Sequence, residues 1–433
     1  MKDANVAHAN QEIASPRTRT RRRTWLVRLA AVALGLALLA LAGWFFLGPR
    51  PTAMSYWREA QLALRDQRID DAAKIARRMA RVAGPNLDYL RFLEGQVAIA
   101  NEDGEAAVEN LSAIPPSSEL AAPSRLLLGQ FELRRNRFRA AETALREAMK
   151  YDPNMVQAVR ELIFILGMQT RRIEIDRAFR KLAKIAPLTR DEVFLWCLTR
   201  GSVWEAEELG RVMEKVVEAD PEDDWSRFAL ADALANQGLT QRADAELEKI
   251  GTRVLDAVAV RVKLALDRGD VEEATRLLDL APKRRLEDAG VTPEDSRENA
   301  AGIWRMRGKL AILRRDGREA ADAFQEADRW EPNNRDTIFG LSQALRMVGK
   351  PDEAKQYADR AQVLDALSGQ LQYASSPQGK ADQALPKRLA IICRDAGRVP
   401  EARAWLNLAI SNDPLDEEAQ KLLNTLPGED ASS

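Results

Sequence analysis

The sequence predicts an all-α fold, a solenoid of stacked helix-turn-helix repeats preceded by one N-terminal transmembrane helix, and three observations carry that prediction. The stretch 301–334 repeats one apolar spacing twice: Trp304, Gly308 and Ala311 at i, i+4 and i+7, then Ala320, Phe324 and Ala327 at the same intervals. That spacing gathers three side chains on one face of each of two helices. Weaker copies of the pattern recur from residue 53 to residue 414. Finally, Leu29 to Leu47 carries no charge, a run about 28 Å long as helix at roughly 1.5 Å per residue.

Composition narrows the function classes. A chain of 433 residues is too long for one compact core, whereas a stacked array grows along one dimension. With 45% hydrophobic and 30% charged residues it suits amphipathic helices with solvated outer faces. The 65 basic and 66 acidic residues nearly cancel, so no nucleic-acid partner is expected. Cys197 and Cys393 fall in different repeats with no CxxC pair, which argues against a disulfide framework or zinc site. Cys197 is expected as a buried, inert thiol. His8 is the only histidine, and no P-loop, GxSxG, HExxH or GxGxxG motif occurs. Acidic runs such as Glu222-Asp223-Asp224 fall at helix starts, where carboxylates cap. No catalytic residue, metal or cofactor is therefore expected.

Along the chain, residues 1–24 read as a basic cytoplasmic tail and 25–48 as a membrane anchor. Trp25, Trp44, Phe45 and Phe46 flank the apolar run as interface aromatics do, and Gly48-Pro49-Arg50-Pro51 ends it. Six arginines lie within 17–28 against only Arg50 and Arg58 just beyond the run. This predicts a single-pass inner-membrane protein, N-terminus cytoplasmic and the repeats periplasmic or otherwise extracytoplasmic. Ala40-Leu41-Ala42 resembles a cleavage site, and Arg22-Arg23 a twin-arginine signal; the apolar residues running on to Leu47 favour an uncleaved anchor. About ten repeats follow. An N-terminal block spans 53–284, with hairpins at 53–86, 88–121, 122–155, 156–189, 190–223, 224–254 and 255–284. A linker or hinge occupies 285–300, and a C-terminal block spans 301–425 with a polar insertion at 369–382 and a capping helix over 415–425. Residues 426–433 read as a frayed tail.

The hairpin at 301–334 is the clearest. Arg314-Arg315-Asp316-Gly317 supplies its turn, with Gly317 expected to take the left-handed conformation. Pro332 closes the unit. Trp304 and Phe324 are expected to be buried, and Gly308 and Ala320 to let the two backbones approach. This pattern resembles the tetratricopeptide (TPR) family, whose roughly 34-residue motif falls here on Trp304, Gly308, Ala320, Phe324, Ala327 and Pro332.

The resemblance implies binding rather than catalysis, with the first helix of each repeat lining a concave groove. Carried onto the cleanest repeats, the groove positions are Arg305 and Lys309, then Phe339, Gln343 and Arg346, then Lys387 and Arg394. They make a basic groove with one aromatic, suited to an acidic or extended peptide of a protein partner. The lysine-asparagine clamp of the chaperone-binding subset is missing at these positions. The sequence thus predicts a non-enzymatic, membrane-anchored scaffold for protein-protein interaction at the cell envelope. The alternatives are an accessory subunit of a polysaccharide or peptidoglycan synthesis complex and an organellar import receptor.

Overall fold

The computed structural model describes residues 51–198, 205–251, 254–280 and 293–428, with the backbone alone for 255, 280 and 293–300. The expected tail, the anchor at 25–48 and part of the expected linker lie outside these residues. Among the described residues no helix is long and apolar enough to cross a membrane, there is no strand, and the twenty-two α-helices are the organising elements.

The described residues fall into two compact units, divided between 101 and 102. In the first, α1 (Ala53–Arg65) and α2 (Ile69–Met79) form a hairpin that packs on α3 (Leu87–Ala100). Its core is Ala60, Ala63, Ala72, Met79 and Leu93, with Trp57 edge-on to Tyr89 at 5.1 Å.

The second unit begins with α4 (Gly104–Ser112). Its hairpins are α5 (Ala121–Arg134) with α6 (Phe138–Tyr151), and α7 (Val156–Met168) with α8 (Arg172–Ile185). Then come α9 (Arg190–Leu198) and α10 (Ala206–Ala219). Four further hairpins follow: α11 (Asp224–Asn236) with α12 (Thr240–Ile250), α13 (Leu255–Asp267) with α14 (Val271–Leu280), α15 (Pro293–Leu313) with α16 (Gly317–Trp330), and α17 (Arg335–Met347) with α18 (Pro351–Ser375). After α19 (Pro377–Ala381) come the hairpin of α20 (Leu385–Asp395) and α21 (Val399–Asn412), and finally α22 (Glu417–Thr425).

One turn recurs between consecutive helices. A single left-handed residue follows the earlier helix at Gln67, Glu102, Asn136, Thr170, Gly238, Gly269, Arg315, Gly349 and Gly397. In eight of these turns the next amide bonds the carbonyl five residues back, as Arg171 does to Leu166 and Asp316 to Ala311, both 3.0 Å. This is the Schellman closure, which satisfies carbonyls left over at the helix end. The 34 positions from Asn136 to Thr170, repeated from Arg315 to Gly349, are the repeat period in backbone form.

At the clearest hairpin the structure corrects the sequence reading of the turn. Arg315, at φ 60°, is the left-handed residue, and Gly317 is the first residue of α16. Glycine is needed there for space, since an added Cβ would stand 2.7 Å from Met347 Cβ. An L-residue in this conformation is strained, so Arg315→Gly is expected to raise the unfolding free energy by about 0.5–1 kcal/mol. The urea midpoint reads this directly.

Phe324 is 1% exposed, as expected. Gly308 makes room for its ring, because a Cβ there would lie 2.7 Å from Phe324 Cε2; the glycine seats an aromatic rather than drawing two backbones together. Trp304 is only partly buried, contrary to expectation. It lies under the Arg307 guanidinium, 4.7 Å from ring centre, facing the polar side chains of Glu319 and Asp322 on the start of α16.

Two longer-range departures shape the unit. The polar insertion expected at 369–382 begins as helix, because Leu364, Leu367, Leu371 and Ala374 extend the buried stripe of α18. The fifth expected hairpin, 190–223, has its halves in different cores. Met213 and Val216 of α10 pack with α11, whereas Val193, Trp196 and Cys197 of α9 pack with Leu389, Cys393 and Trp405. Through α9, which lies against α18 and α21, the second unit closes on itself. Polar bonds stitch the same seam: Arg190 donates to the carbonyls of Gly379 (2.6 Å) and Lys380 (2.5 Å), and Arg398 to that of Cys197 (3.0 Å).

Candidate functional site

The first helices of successive hairpins stack side by side, so side chains one turn apart form rows across the inner face. Three such rows, from α11, α13 and α15, meet the start of α8 around a cavity of about 220 Å³. Trp225, Phe228 and Asp232 come from α11; Asp256, Ala259, Val260 and Lys263 from α13; Gly302, Arg305, Met306 and Lys309 from α15. Thr170 to Ile173 form a further wall, and Glu331 and Asp336 complete the rim.

Polar bonds hold that wall in place. Asp223 caps α11 by accepting from the Ser226 amide at 3.1 Å, and the Gln169 side-chain amide donates to Asp223 and to Ser226 Oγ. Arg171 bonds Glu142 and Gln169 and lies 5.0 Å from the Trp225 ring centre. Burial opposes charge on Glu142, but Arg171 and Arg146 outweigh it and hold its carboxyl below the usual range.

Charge in the cavity is mixed. Arg305 is paired with Glu331 at 2.6 Å, both side chains largely withdrawn from solvent. Burial pushes the Glu331 carboxyl up, and Arg305, Arg172 and Asn334 more than reverse this. Arg172, Lys263, Asp232 and Asp256 make no hydrogen bond or ion pair with any described residue, although all four line the space. Burial pushes the Asp232 carboxyl up against the opposing pull of Arg172 and Lys263. Asp256 goes to about 6, through burial first and then the Glu331 charge, with Arg305 and Arg172 opposing. Gly302 leaves room for it: a Cβ there would sit 3.2 Å from Asp256 Oδ1.

An acid whose pKa is raised on folding binds its proton more tightly in the native state. Its favourable contribution is complete below the unfolded value of about 4 and is lost as pH rises through about 6. Asp256→Asn is therefore expected to add about 2–3 kcal/mol of stability at pH 8 and almost none at pH 3.5. Parallel urea titrations at the two pH values check the sign.

The structure brings only two of the seven sequence-predicted groove residues, Arg305 and Lys309, to this cavity. The basic character expected of the set is mostly neutralised. Besides the Arg305 pair, Lys309 faces Asp336 at 3.4 Å, Lys387 meets Asp416 and Glu418 at 3.0 and 2.7 Å, and Arg394 pairs with Asp395 at 2.8 Å. Arg346 donates to Ser342 Oγ, 3.0 Å away. Phe339, Gln343 and Arg346 share an exposed face of α17, with Phe339 56% exposed. Sequence reasoning missed Arg172, Asp232, Asp256 and Lys263. The signal existed for three of them, since they occupy first-helix positions of the degenerate hairpins at 224–254 and 255–284, to which the groove rule was not applied.

The left-handed turn, the 34-residue step and the glycine-seated Phe324 make these hairpins tetratricopeptide-type repeats in an α-solenoid. No protein-family profile matches the chain, and no curated protein matches it. Among solved structures, the APC/C hetero-tetramer Cut9–Hcn1 is similar at 14% identity and TM-score 0.33, over 89% of this chain and 98% of that one. A tetratricopeptide repeat protein from Parabacteroides merdae is similar at 13% identity and TM-score 0.30, over 60% and 99%. Pseudomonas aeruginosa pilF is similar at 19% identity and TM-score 0.29, over 58% and 98%.

Proposed function

We propose that the chain is a non-enzymatic scaffold whose second unit receives an extended segment of a protein partner in the cavity between α8, α11, α13 and α15. The observation that carries this reading is the set of four unpaired charged side chains, Arg172, Asp232, Asp256 and Lys263, lining one concave space. An ionic side chain partly removed from water with its opposite charges nearby but not in direct contact recovers only part of its lost hydration, and a ligand that bonds it directly supplies the rest. Two cations and two anions in one space favour a peptide carrying both signs over a uniformly acidic one. Helices packed in advance lose little freedom on binding. The uncharged run at 29–47, with arginines before it, supports a membrane tether and a second unit on the extracytoplasmic side.

A photo-crosslinking residue placed at Lys263 in living cells is expected to capture a defined protein, and Asp232→Asn should weaken that capture. The same residue placed at Arg403, on α21 away from the cavity, should not capture it. Equal capture from both positions would overturn the cavity as the docking site. Digestion of the repeats by protease added to intact spheroplasts would support the topology, and protection would reverse it.

A further inference from the structure

The seam that closes the second unit holds the chain's two cysteines side by side. Cys197 on α9 and Cys393 on α20 are 196 positions apart in sequence, and their Sγ atoms are 3.9 Å apart. Both thiols are buried, 2% and 0% exposed. The Trp405 indole N–H donates to Cys197 Sγ at 3.2 Å, and Arg398 fixes the Cys197 carbonyl. A disulfide bond is about 2.05 Å long, so the sulfurs must approach by less than 2 Å, a movement within reach of side-chain rotation and a small helix shift. The sequence reading that set the two cysteines apart as unrelated is corrected by this juxtaposition, which follows from the packing of α9 on the C-terminal hairpin.

We infer that Cys197 and Cys393 form an intramolecular disulfide that locks the closed second unit, made by exchange with a small-molecule or protein disulfide. One cysteine thiolate attacks a sulfur of the donor disulfide, displacing a thiolate and leaving a mixed disulfide. The second cysteine thiolate then attacks the sulfur of the first, displacing the other donor thiolate. Two protein thiols are oxidised, one donor disulfide is reduced to two thiols, and the two protons pass to the donor. Both sulfurs are shielded in the packed seam, and the hydrogen bond with Cys197, followed by burial, pushes the Cys393 thiol up and keeps it protonated there. Exchange therefore proceeds while α9 is undocked, during folding or on opening of the seam. The bond clasps a long loop of chain, the arrangement in which a cross-link constrains the unfolded state most. The clasp also holds α9, and with it the adjoining α8 wall, against the C-terminal hairpin. The inference rests on the seam alone and stands apart from partner binding.

The test uses the full chain in detergent, refolded from urea with oxidised glutathione and, in parallel, with excess reductant. The expected oxidised product is a monomer lighter by two hydrogens, with no free thiol, yielding a linked peptide pair that contains Cys197 and Cys393 and separates on reduction. Its urea midpoint should exceed that of the reduced chain, and Cys197→Ser should abolish the difference. Should that variant fail to fold, the linked peptides and the wild-type midpoints still decide. Glutathione adducts on both cysteines, disulfide-linked dimers, two free thiols, or a midpoint lowered by oxidation would each overturn the inference.

Discussion

Arg305→Ala is expected to lower the unfolding free energy by about 3–5 kcal/mol at pH 7.5 and by much less at pH 3.5. The Arg305–Glu331 pair is 2.6 Å long with little solvent access on either side chain. Removing the cation leaves a buried carboxylate near a second acid, Asp256, which already feels the Glu331 charge. Burial, the largest influence on Glu331, favours the neutral acid; Arg305 reverses it and holds the group below its usual range. A carboxylate depressed in this way contributes stability above its unfolded pKa of about 4.3, and loses it as pH falls through the lower folded value. In the variant Glu331 accepts a proton instead, so the gap between variant and wild type is widest at neutral pH and narrows on acidification. Equal losses at both pH values would show that packing, not charge, is what Arg305 supplies. The same geometry makes Arg305 a poor position for charge reversal aimed at a partner, because the damage would be internal.

Trp405→Ala is expected to cost a further large amount, roughly 3–5 kcal/mol, through the cavity left by a side chain that is 0% exposed. The loss should be uneven. Trp405 belongs to the core shared by α9, α20 and α21 and donates to Cys197 Sγ, so the seam should open before the hairpins at 224–347 unfold. Trp196, 1% exposed and stacked on Phe179 at 5.6 Å, lies in the same core. Trp196→Ala and Trp405→Ala should therefore combine to less than the sum of their separate costs. A fully additive pair in thermal or urea unfolding would mean that they stabilise separate structures.

How much of this was legible in the sequence depends on the range of the interaction. The helical hairpins and their period follow from local apolar spacing, and most expected boundaries lie close to the observed helices. The exact turn residue was harder, because Gly317 advertises a left-handed conformation that Arg315 in fact adopts. The burial of Phe324 was readable from its place in the motif, whereas the partial exposure of Trp304 depends on polar neighbours brought by α16. The destination of α9 was not readable. Val193, Trp196 and Cys197 have the pattern of any buried helix face, and nothing local says that the facing surface is 200 residues away. The charge balance of the groove residues was not readable for a related reason: a basic side chain can be identified in sequence, but its carboxylate partner on another helix, as Asp416 at the start of α22 is for Lys387, cannot.

Amide hydrogen exchange across α9 tests the central claim, closure of the second unit, most directly. A nine-residue helix exchanges rapidly unless tertiary packing holds it. The structure predicts that amides of 193–198 are protected to the same degree as those of α21, and that Trp405→Ala removes protection from both together while α15 and α16 retain theirs. Rapid exchange throughout α9 in the wild-type chain, alongside a protected α21, would contradict closure.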